Sequence, residues 1–405
     1  MKNILLRNRW WIVVASALAL MAGQGPINVF AAGVFLKPVT QELGFGRGEF
    51  STAIAISNIM TALAAPFWGR CLDTYGVRRP LLIAIALFAF ATAGTALLQP
   101  SIVILLALFG LAGVVGVSQN PTAYSKVLAS AFDRNRGLAM GLALAGVGLG
   151  TAVMPQLANV LINNLGWRMG YVGLGAVIVV IAFIPVALLL PEPSPKKVIE
   201  NEPASLPGMT FAEAIRTRQY WALTIAFFFA GVTINGALVH VVPLLTDRGI
   251  PVGAAVSAVS AAGLALIVGR IIAGYVMDRV FAPYVALVFL GGPILGLAIL
   301  GLNPEFVGPI VGTILLGLGI GAEIDLMSFL VTRYFGVRAF GALHGLMFAI
   351  FVVGNAAGAA ALGWSFQLLK SYGPAFVVFE IFLVIACILF MTLGPYRYPV
   401  SAMDE

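Results

Sequence analysis

Short polar clusters punctuate this sequence, and the stretches between them are almost continuously apolar for about twenty residues or more. A helix needs roughly 20 apolar residues to cross the hydrocarbon of a bilayer. Twelve stretches meet that length, at about 10–35, 50–70, 80–98, 101–126, 137–163, 168–190, 220–244, 253–277, 283–302, 306–333, 341–368 and 373–394. They lack the period-2 alternation of a transmembrane barrel, so the pattern predicts an all-α membrane protein with twelve transmembrane helices. Trp10 opens a long span with no small-residue cleavage site after a short apolar core, so no cleavable signal is read there.

The longest interruption, about 191–219, holds Pro191, Pro193, Pro195, Pro203 and Pro207 among charged residues, and reads as a flexible linker. It divides the chain into a six-helix bundle over 1–190 and another over 220–405. Thr210 and Glu213 have capping-box spacing, so Phe211 to Arg218 reads as a short amphipathic surface helix or as an extension of span seven. The two halves repeat. Gly44 matches Gly249 and Gly69 matches Gly274, each pair 205 positions apart. Phe132, Arg136 and Gly137 are echoed near the same offset by Phe335, Arg338 and Gly341. A common offset in corresponding places supports a duplicated six-helix unit.

Composition narrows the function. Of 405 residues, 60% are hydrophobic and 10% charged, against about 25% charged in a soluble chain. A soluble enzyme, a disulfide scaffold and a disordered protein are excluded. The formal net charge of +7 belongs in loops rather than on a nucleic-acid surface. Of the 23 Lys and Arg, 17 fall at the termini or in even-numbered connections and 5 in odd-numbered ones. That bias predicts both termini in the cytoplasm, with the protein in the cell membrane. Cys71 and Cys387 lie at opposite ends of the chain, and only two histidines are present. No spacing suggests a metal site, a cofactor or an enzyme's catalytic constellation, and no Walker A loop points to ATP.

The segment Gly69-x-x-x-Asp73-x-x-Gly76-x-Arg78-Arg79, between spans two and three, resembles the signature loop of the major facilitator superfamily. The resemblance covers essentially the whole chain. It implies two pseudo-symmetric six-helix bundles around a central cavity, opened alternately to either side, with a monomer as the working unit. A narrower resemblance is to the monocarboxylate transporters and oxalate–formate exchangers. It rests on Arg9-Trp10-Trp11-Ile12-Val13, the run from Pro38 to Gly76, Gly269-Arg270 with Gly274, and Gly321-Ala322-Glu323-Ile324-Asp325 with Arg333-Tyr334-Phe335-Gly336.

Arg270 is the sharpest chemical signal, a permanent charge inside span eight among Leu266, Ile267, Val268, Ile271 and Ile272. At such depth a charge costs roughly 2.5–3.5 kcal/mol on insertion scales, so it faces a polar cavity or a partner. It reads as a clamp for an anionic carboxylate, or as one half of an ion pair with a helix-borne acid. The resemblance implies a substrate-binding arginine at this position. It also marks two departures: Leu266 stands where animal monocarboxylate transporters carry a proton-linked aspartate, and Phe351 is the best match for the exchangers' second cation, a lysine. One cavity cation suits one carboxylate, which favours a small monocarboxylate such as lactate or pyruvate, carried with a proton or by exchange.

Gln24 and Asn28 share one helix face, as do Asn120 and Tyr124, and both pairs are candidates to complete the site. Asn235 and Asn355 rank behind them. Glu323 and Asp325 lie two apart in span ten. One is expected to meet Lys126 and close the cytoplasmic side, or to carry a proton. Asp73 is expected to dock near Arg338 and Gly341, and Asp278 near Arg136, as conformational latches. His240 is a candidate proton relay, with His344 behind it. Glu380 reaches the headgroup level or pairs with Lys370.

Overall fold

A computed structural model describes residues 9–119, 121–132, 136–190, 207–302 and 307–398. Among the described residues, eleven helices are long and apolar enough to span a membrane. One of them, Leu138–Leu189, has 52 residues and would be about 78 Å long if straight. It breaks at Gly166, whose φ of +79° is outside the range of a helix. Beyond the break the chain doubles back. A Cβ at Gly173 would lie 2.8 Å from the Leu161 side chain, whereas twelve residues of continuous helix would separate them by about 18 Å. The eleven helices are therefore twelve spans.

These are α1 (10–43), α2 (Arg47–Tyr75), α3 (Arg78–Gly94), α4 (Ile102–Gly116, resumed as Pro121–Ala131), α5 (136–165), α6 (167–189), α7 (218–247), α8 (Val252–Met277), α9 (Ala282–Gly301), α10 (Val307–Phe335), α11 (Phe340–Leu369) and α12 (Gly373–Met391). The first span is longer than its apolar run, because Ala32–Leu43 carries α1 past the span Trp10–Phe30. Of the expected surface helix only Phe211–Ala214 forms. Thr210 and Glu213 make the capping box, with N–H···O distances of 2.7 and 3.3 Å. Thr217 then caps a new helix, α7, through a bond from the Tyr220 N–H. The hydrogen bonds to Thr210 hold the Glu213 carboxyl below its ordinary range, and Arg338 adds to the effect.

The repeat seen in the sequence has a structural counterpart. Gly44 and Gly249 both take left-handed φ values, +73° and +81°, at the α1–α2 and α7–α8 turns. α1 loosens into a π-helical turn at Gly25–Phe30, and α7 does so at Gly231–Asn235, which is 26–30 displaced by 205. Such turns release backbone groups and bend a helix, and they recur at functional sites.

Buried apolar side chains form two clusters, one mainly from α1–α6 and one mainly from the short helix, α7–α12 and the tail beyond α12, with Phe30 and Val34 of α1 joining the second and Val239 and Ala359 joining the first. In lipid, helices associate through close packing rather than through the hydrophobic effect, and small residues allow it. A Cβ at Gly113 would strike the Ser57 carbonyl between α4 and α2, and one at Gly146 would strike the Ala17 carbonyl between α5 and α1. The halves meet along α2–α11, α5–α8 and α1–α7. Gly48 N–H donates to Gln367 at 2.8 Å, Trp364 donates to Thr52 at 3.0 Å, and Ser260 donates to the Ala152 carbonyl at 2.6 Å. All three bonds lie toward the end of the molecule opposite the termini, called here the distal end. Toward the terminal end, a Cβ at Gly69, Gly141, Gly274, Gly341 or Gly345 would meet nothing within 4 Å.

Candidate functional site

α8 and α10 run in register. A Cβ on Gly317 would strike the Ala262 carbonyl, and one on Gly321 would strike the Leu266 carbonyl. The helices therefore touch backbone to backbone, rung by rung, every fourth residue. The next rung of this row is Arg270 and Asp325, with Arg270 Nε 3.1 Å from Asp325 Oδ2. The side chains are 14% and 31% exposed, so the pair borders open space without being solvated on all sides. Arg270 Nε and Nη1 are both buried without a hydrogen-bond partner among the described residues. Asp325 thus balances the charge of the guanidinium but leaves its directional N–H groups unused.

Of the two readings of Arg270, the ion pair with a helix-borne acid is present. Its partner is Asp325, one of the two acids of which one was expected to meet Lys126. Glu323 points elsewhere because it lies two residues, about 200° around the helix, from Asp325. It is 3% exposed and accepts a hydrogen bond from Asn235 Nδ2 at 3.0 Å. It lines a small cavity inside the second half with Phe227, Phe289, Leu290 and Phe390, from α7, α9 and α12. In this structure Glu323 therefore faces the interior of its own half.

The first half contributes a neutral polar cluster. Gln24 Nε2 donates to Asn58 Oδ1 at 3.2 Å, and the Tyr124 hydroxyl donates to Gln119 Oε1 at 3.1 Å. Gln119 Nε2 and Asn28 Nδ2 are buried without partners among the described residues. Asn58 and Gln119 were missed by the sequence reading. Gln119 stands five residues before Tyr124, and only the tight turn at Val117–Gln119 brings the two together. Asn120 lies outside the described residues, as do the side chains of Asp73, Lys126 and Arg136. Asp278 is exposed at the end of α8 and forms no ion pair among the described residues. Arg338 sits beside Glu213 of its own half. Asn355 lies against Gly231 in the α7–α11 contact.

His240 is fully buried at the distal seam. Its Nε2 lies 2.9 Å from the Ala359 carbonyl and 3.2 Å from Ser51 Oγ of the other half. The carbonyl accepts only from an N–H, which fixes the ring's tautomer. In this structure His240 thus interlocks the two halves through Ala359 of its own half and Ser51 of the other. Nearer the distal surface, Asp247 of α7 accepts from Lys37 at 2.7 Å and from both Nη groups of Arg47, one at 2.8 Å. Arg47 Nη1 also donates to the Tyr372 hydroxyl at 2.9 Å. This distal latch was likewise missed by the sequence reading, since its members are ordinary loop-end charges until the two halves are brought together.

The family model for the Major Facilitator Superfamily matches residues 18–359. The chain belongs to the Major Facilitator Superfamily. With its apolar helices, it is a multi-pass membrane protein of that superfamily. The chain is 30% identical over 289 residues to the oxalate:formate antiporter of Oxalobacter formigenes, covering 68% of this chain and 65% of that one. It is 28% identical over 278 residues to monocarboxylate transporter 13 of Bos taurus, covering 67% and 63%. The match therefore spans slightly less than two thirds of either relative. Among solved structures it resembles the nucleoside transporter NupG, with a TM-score of 0.76 at 12% identity, covering 95% of this chain and all of that one. It also resembles an inward-facing, unoccupied bacterial homologue of the human lysosomal transporter Spinster, with a TM-score of 0.71 at 16% identity, covering 95% and 96%. At those identities the structural likeness shows the superfamily fold alone.

Proposed function

We propose that this protein is a secondary active carrier for small organic monocarboxylates of the lactate and pyruvate type, moving each anion with a proton by alternating access. The observation that carries the reading is the Arg270 guanidinium, with two buried N–H groups unused and a carboxylate beside it. A substrate carboxylate can accept a charge-assisted hydrogen bond from the unused Nη1 N–H, on the edge of the guanidinium away from the Nε–H. Two carboxylates at one guanidinium repel, so protonating Asp325 releases Arg270 to the substrate and ties proton to anion. The position at which animal monocarboxylate transporters hold an aspartate is Leu266 here, packed on Gly321. Asp325, from the neighbouring helix, supplies the carboxylate one turn further on.

Both termini face the cytoplasm, and the distal end is the outer face of the cell membrane, on the strength of the Lys and Arg distribution. The division into 1–190, a linker over 191–219, and 220–405 then gives two bodies that rock about the bound anion. The substrate's remaining oxygens are assigned to Gln24, Asn28, Asn120 and Tyr124 of the first half. The test is uptake of labelled lactate into proteoliposomes by wild type and Arg270→Ala. The reading expects uptake driven by an inward proton gradient, abolished by the substitution. The second reading, exchange of organic anions, is favoured by the 30% identity to the oxalate:formate antiporter. It expects uptake only from vesicles preloaded with anion.

A further inference from the structure

The chain has two histidines. His240 is closed into the distal seam, and His344 stands toward the opposite end in different surroundings. It is half-buried near the start of α11, on the stretch where a Cβ at Gly341 or Gly345 would meet nothing within 4 Å. Three contacts fix its ring. Its Nε2 lies 3.0 Å from Ser328 Oγ of α10. Phe340 and Phe348, a turn before and a turn after it on α11, stack on the ring at 25° and 8°, with centroids 5.3 and 6.2 Å away. The Ser328 hydroxyl donates to the Ile324 carbonyl at 3.0 Å, so its oxygen receives the Nε2–H and Nδ1 is left as the basic nitrogen. The same contacts suit the ring after a second proton binds. The Nε2–H keeps its acceptor, and a cation between two aromatic faces is favoured.

The ring is also placed where a proton has to pass. Ser328 follows Asp325 by three residues on α10, toward the terminal end, and side chains at that spacing are neighbours, with Cβ atoms about 5–6 Å apart. His344 therefore stands one helical turn beyond the Arg270–Asp325 pair on the way to the terminal end. The other titratable and charged groups on the elements around it are engaged elsewhere. Tyr220 of α7 donates to the Leu343 carbonyl at 3.1 Å, Glu213 of the short helix sits beside Arg338, and Arg333 of α10 stacks on Phe329 at 4.9 Å. His344 forms no ion pair among the described residues. A proton carried on Asp325 must leave before the pair with Arg270 reforms, and water is a far weaker acceptor for it than imidazole.

We propose that His344 is the acceptor through which Asp325 discharges its proton to the terminal side. The inference rests on the carrier reading above and adds a residue to its proton path. The O–H bond of the Asp325 carboxyl breaks, a water in the cleft hands the proton on to His344 Nδ1, and the carboxylate so regained pairs with Arg270. The imidazolium then gives up a proton from Nδ1 to water at the terminal end and returns to its starting form. Ser328 is a positioning residue: by holding the Nε2–H it keeps Nδ1 the basic nitrogen. The aromatic stack keeps the ring in one place through both states, so no side-chain rearrangement separates taking the proton from releasing it.

The test uses His344→Gln, whose side-chain amide can still donate to Ser328 but cannot take a proton. In the full-length protein carrying isotope-labelled histidine, the variant identifies the His344 resonance, and the wild-type ring is expected to titrate reversibly between about pH 4 and pH 8. A ring that stays neutral throughout overturns the proposal. In proteoliposomes, His344→Gln is expected to lower several-fold the ratio of proton-driven lactate uptake to lactate–lactate exchange, because exchange does not require the proton to leave. Raising a membrane-impermeant zwitterionic buffer on the terminal face at fixed pH is expected to restore net uptake more in the variant than in wild type. A variant that loses uptake and exchange equally, or that the buffer restores no more than wild type, overturns the proposal and leaves His344 as a link between α10 and α11. Absence of proton-driven uptake in wild type overturns the carrier reading and this proposal together. That failure is distinct from a variant that matches a working wild type, which overturns the proposal alone.

Discussion

Replacing Asp325 by Asn keeps the side chain's size and removes its charge. The pair it breaks has its charged atoms 3.1 Å apart. At an effective dielectric of about 20, the bare attraction is about 5 kcal/mol. Asp325 is 31% exposed and the approach leaves Nε without a proper hydrogen bond, so screening and desolvation reduce the net strength to about 1–3 kcal/mol. On the proposed carrier reading an anion must first release Arg270 from this pair, which lowers the binding-competent fraction by the same amount. Asp325→Asn is therefore expected to tighten lactate binding by roughly 5- to 150-fold, to remove the pH dependence of binding, and to abolish accumulation driven by a proton gradient. Binding is read by isothermal titration of the purified protein across pH, and accumulation by uptake into proteoliposomes. In wild type the sign is fixed: protonated Asp325 frees Arg270, so affinity falls as pH rises through its titration. An Asp325→Asn protein that binds more weakly than wild type, or that keeps the pH dependence, refutes the competition.

Glu323→Gln is expected to fold and transport, because its amide oxygen still accepts from Asn235. Glu323→Ala is expected to lower stability by about 1–3 kcal/mol by leaving Asn235 unpaired, read by thermal unfolding in detergent. Gly321→Ala puts a methyl group onto the Leu266 carbonyl, and is expected to destabilise by about 1–3 kcal/mol and to weaken transport by displacing Arg270 from Asp325. At the distal surface, Glu42 accepts from Trp167 at 2.5 Å and pairs with Arg168, and these hold its carboxyl below the ordinary range. A depressed folded-state value contributes stability above the ordinary carboxylate range and loses it as pH falls through the folded value. Glu42→Gln is therefore expected to flatten the acid limb of the stability profile.

Fold and site were legible in the sequence to different degrees. Spans are read from runs of apolar residues, and a run survives any error about which side faces inward. The one place where spans merge, α5 with α6, is broken by a single backbone angle at Gly166, and Asn163, Asn164 and Arg168 interrupt the apolar run at that point. Arg270 was legible because a charge in an apolar span demands a reason. Its partner was not assigned, since Glu323 and Asp325 look equivalent along the chain. What decides between them is the four-residue row through Gly317 and Gly321, which matters only once α8 and α10 are known to touch. The Arg47–Asp247 latch joins residues 200 positions apart whose types are unremarkable at span ends. The seam of His240 was hidden for the same reason: a lone histidine at a span end looks the same whether it faces lipid, water or the other half.

The duplication makes the chemistry easier to locate, because symmetry sets an expectation that the site violates. The rung Ala262–Gly317 between α8 and α10 has a counterpart between α2 and α4, where Gly113 packs on Ser57, and Ser57 stands 205 positions before Ala262. Two rungs on, the second half has Arg270, while the residue 205 positions earlier is Ala65. The start of the packing row is shared and the charge is not. The pair has a cost in lipid, and the first half carries Ala65 at the corresponding position. A feature kept against such a cost, and present in one copy only, is where function is expected to depart from architecture. The neutral polar residues Gln24, Asn58, Gln119 and Tyr124 lie in the half that lacks the charge. One half would then hold the anion's charge and the other would read the rest of the molecule, so that neither site is complete unless the two halves close on the same substrate.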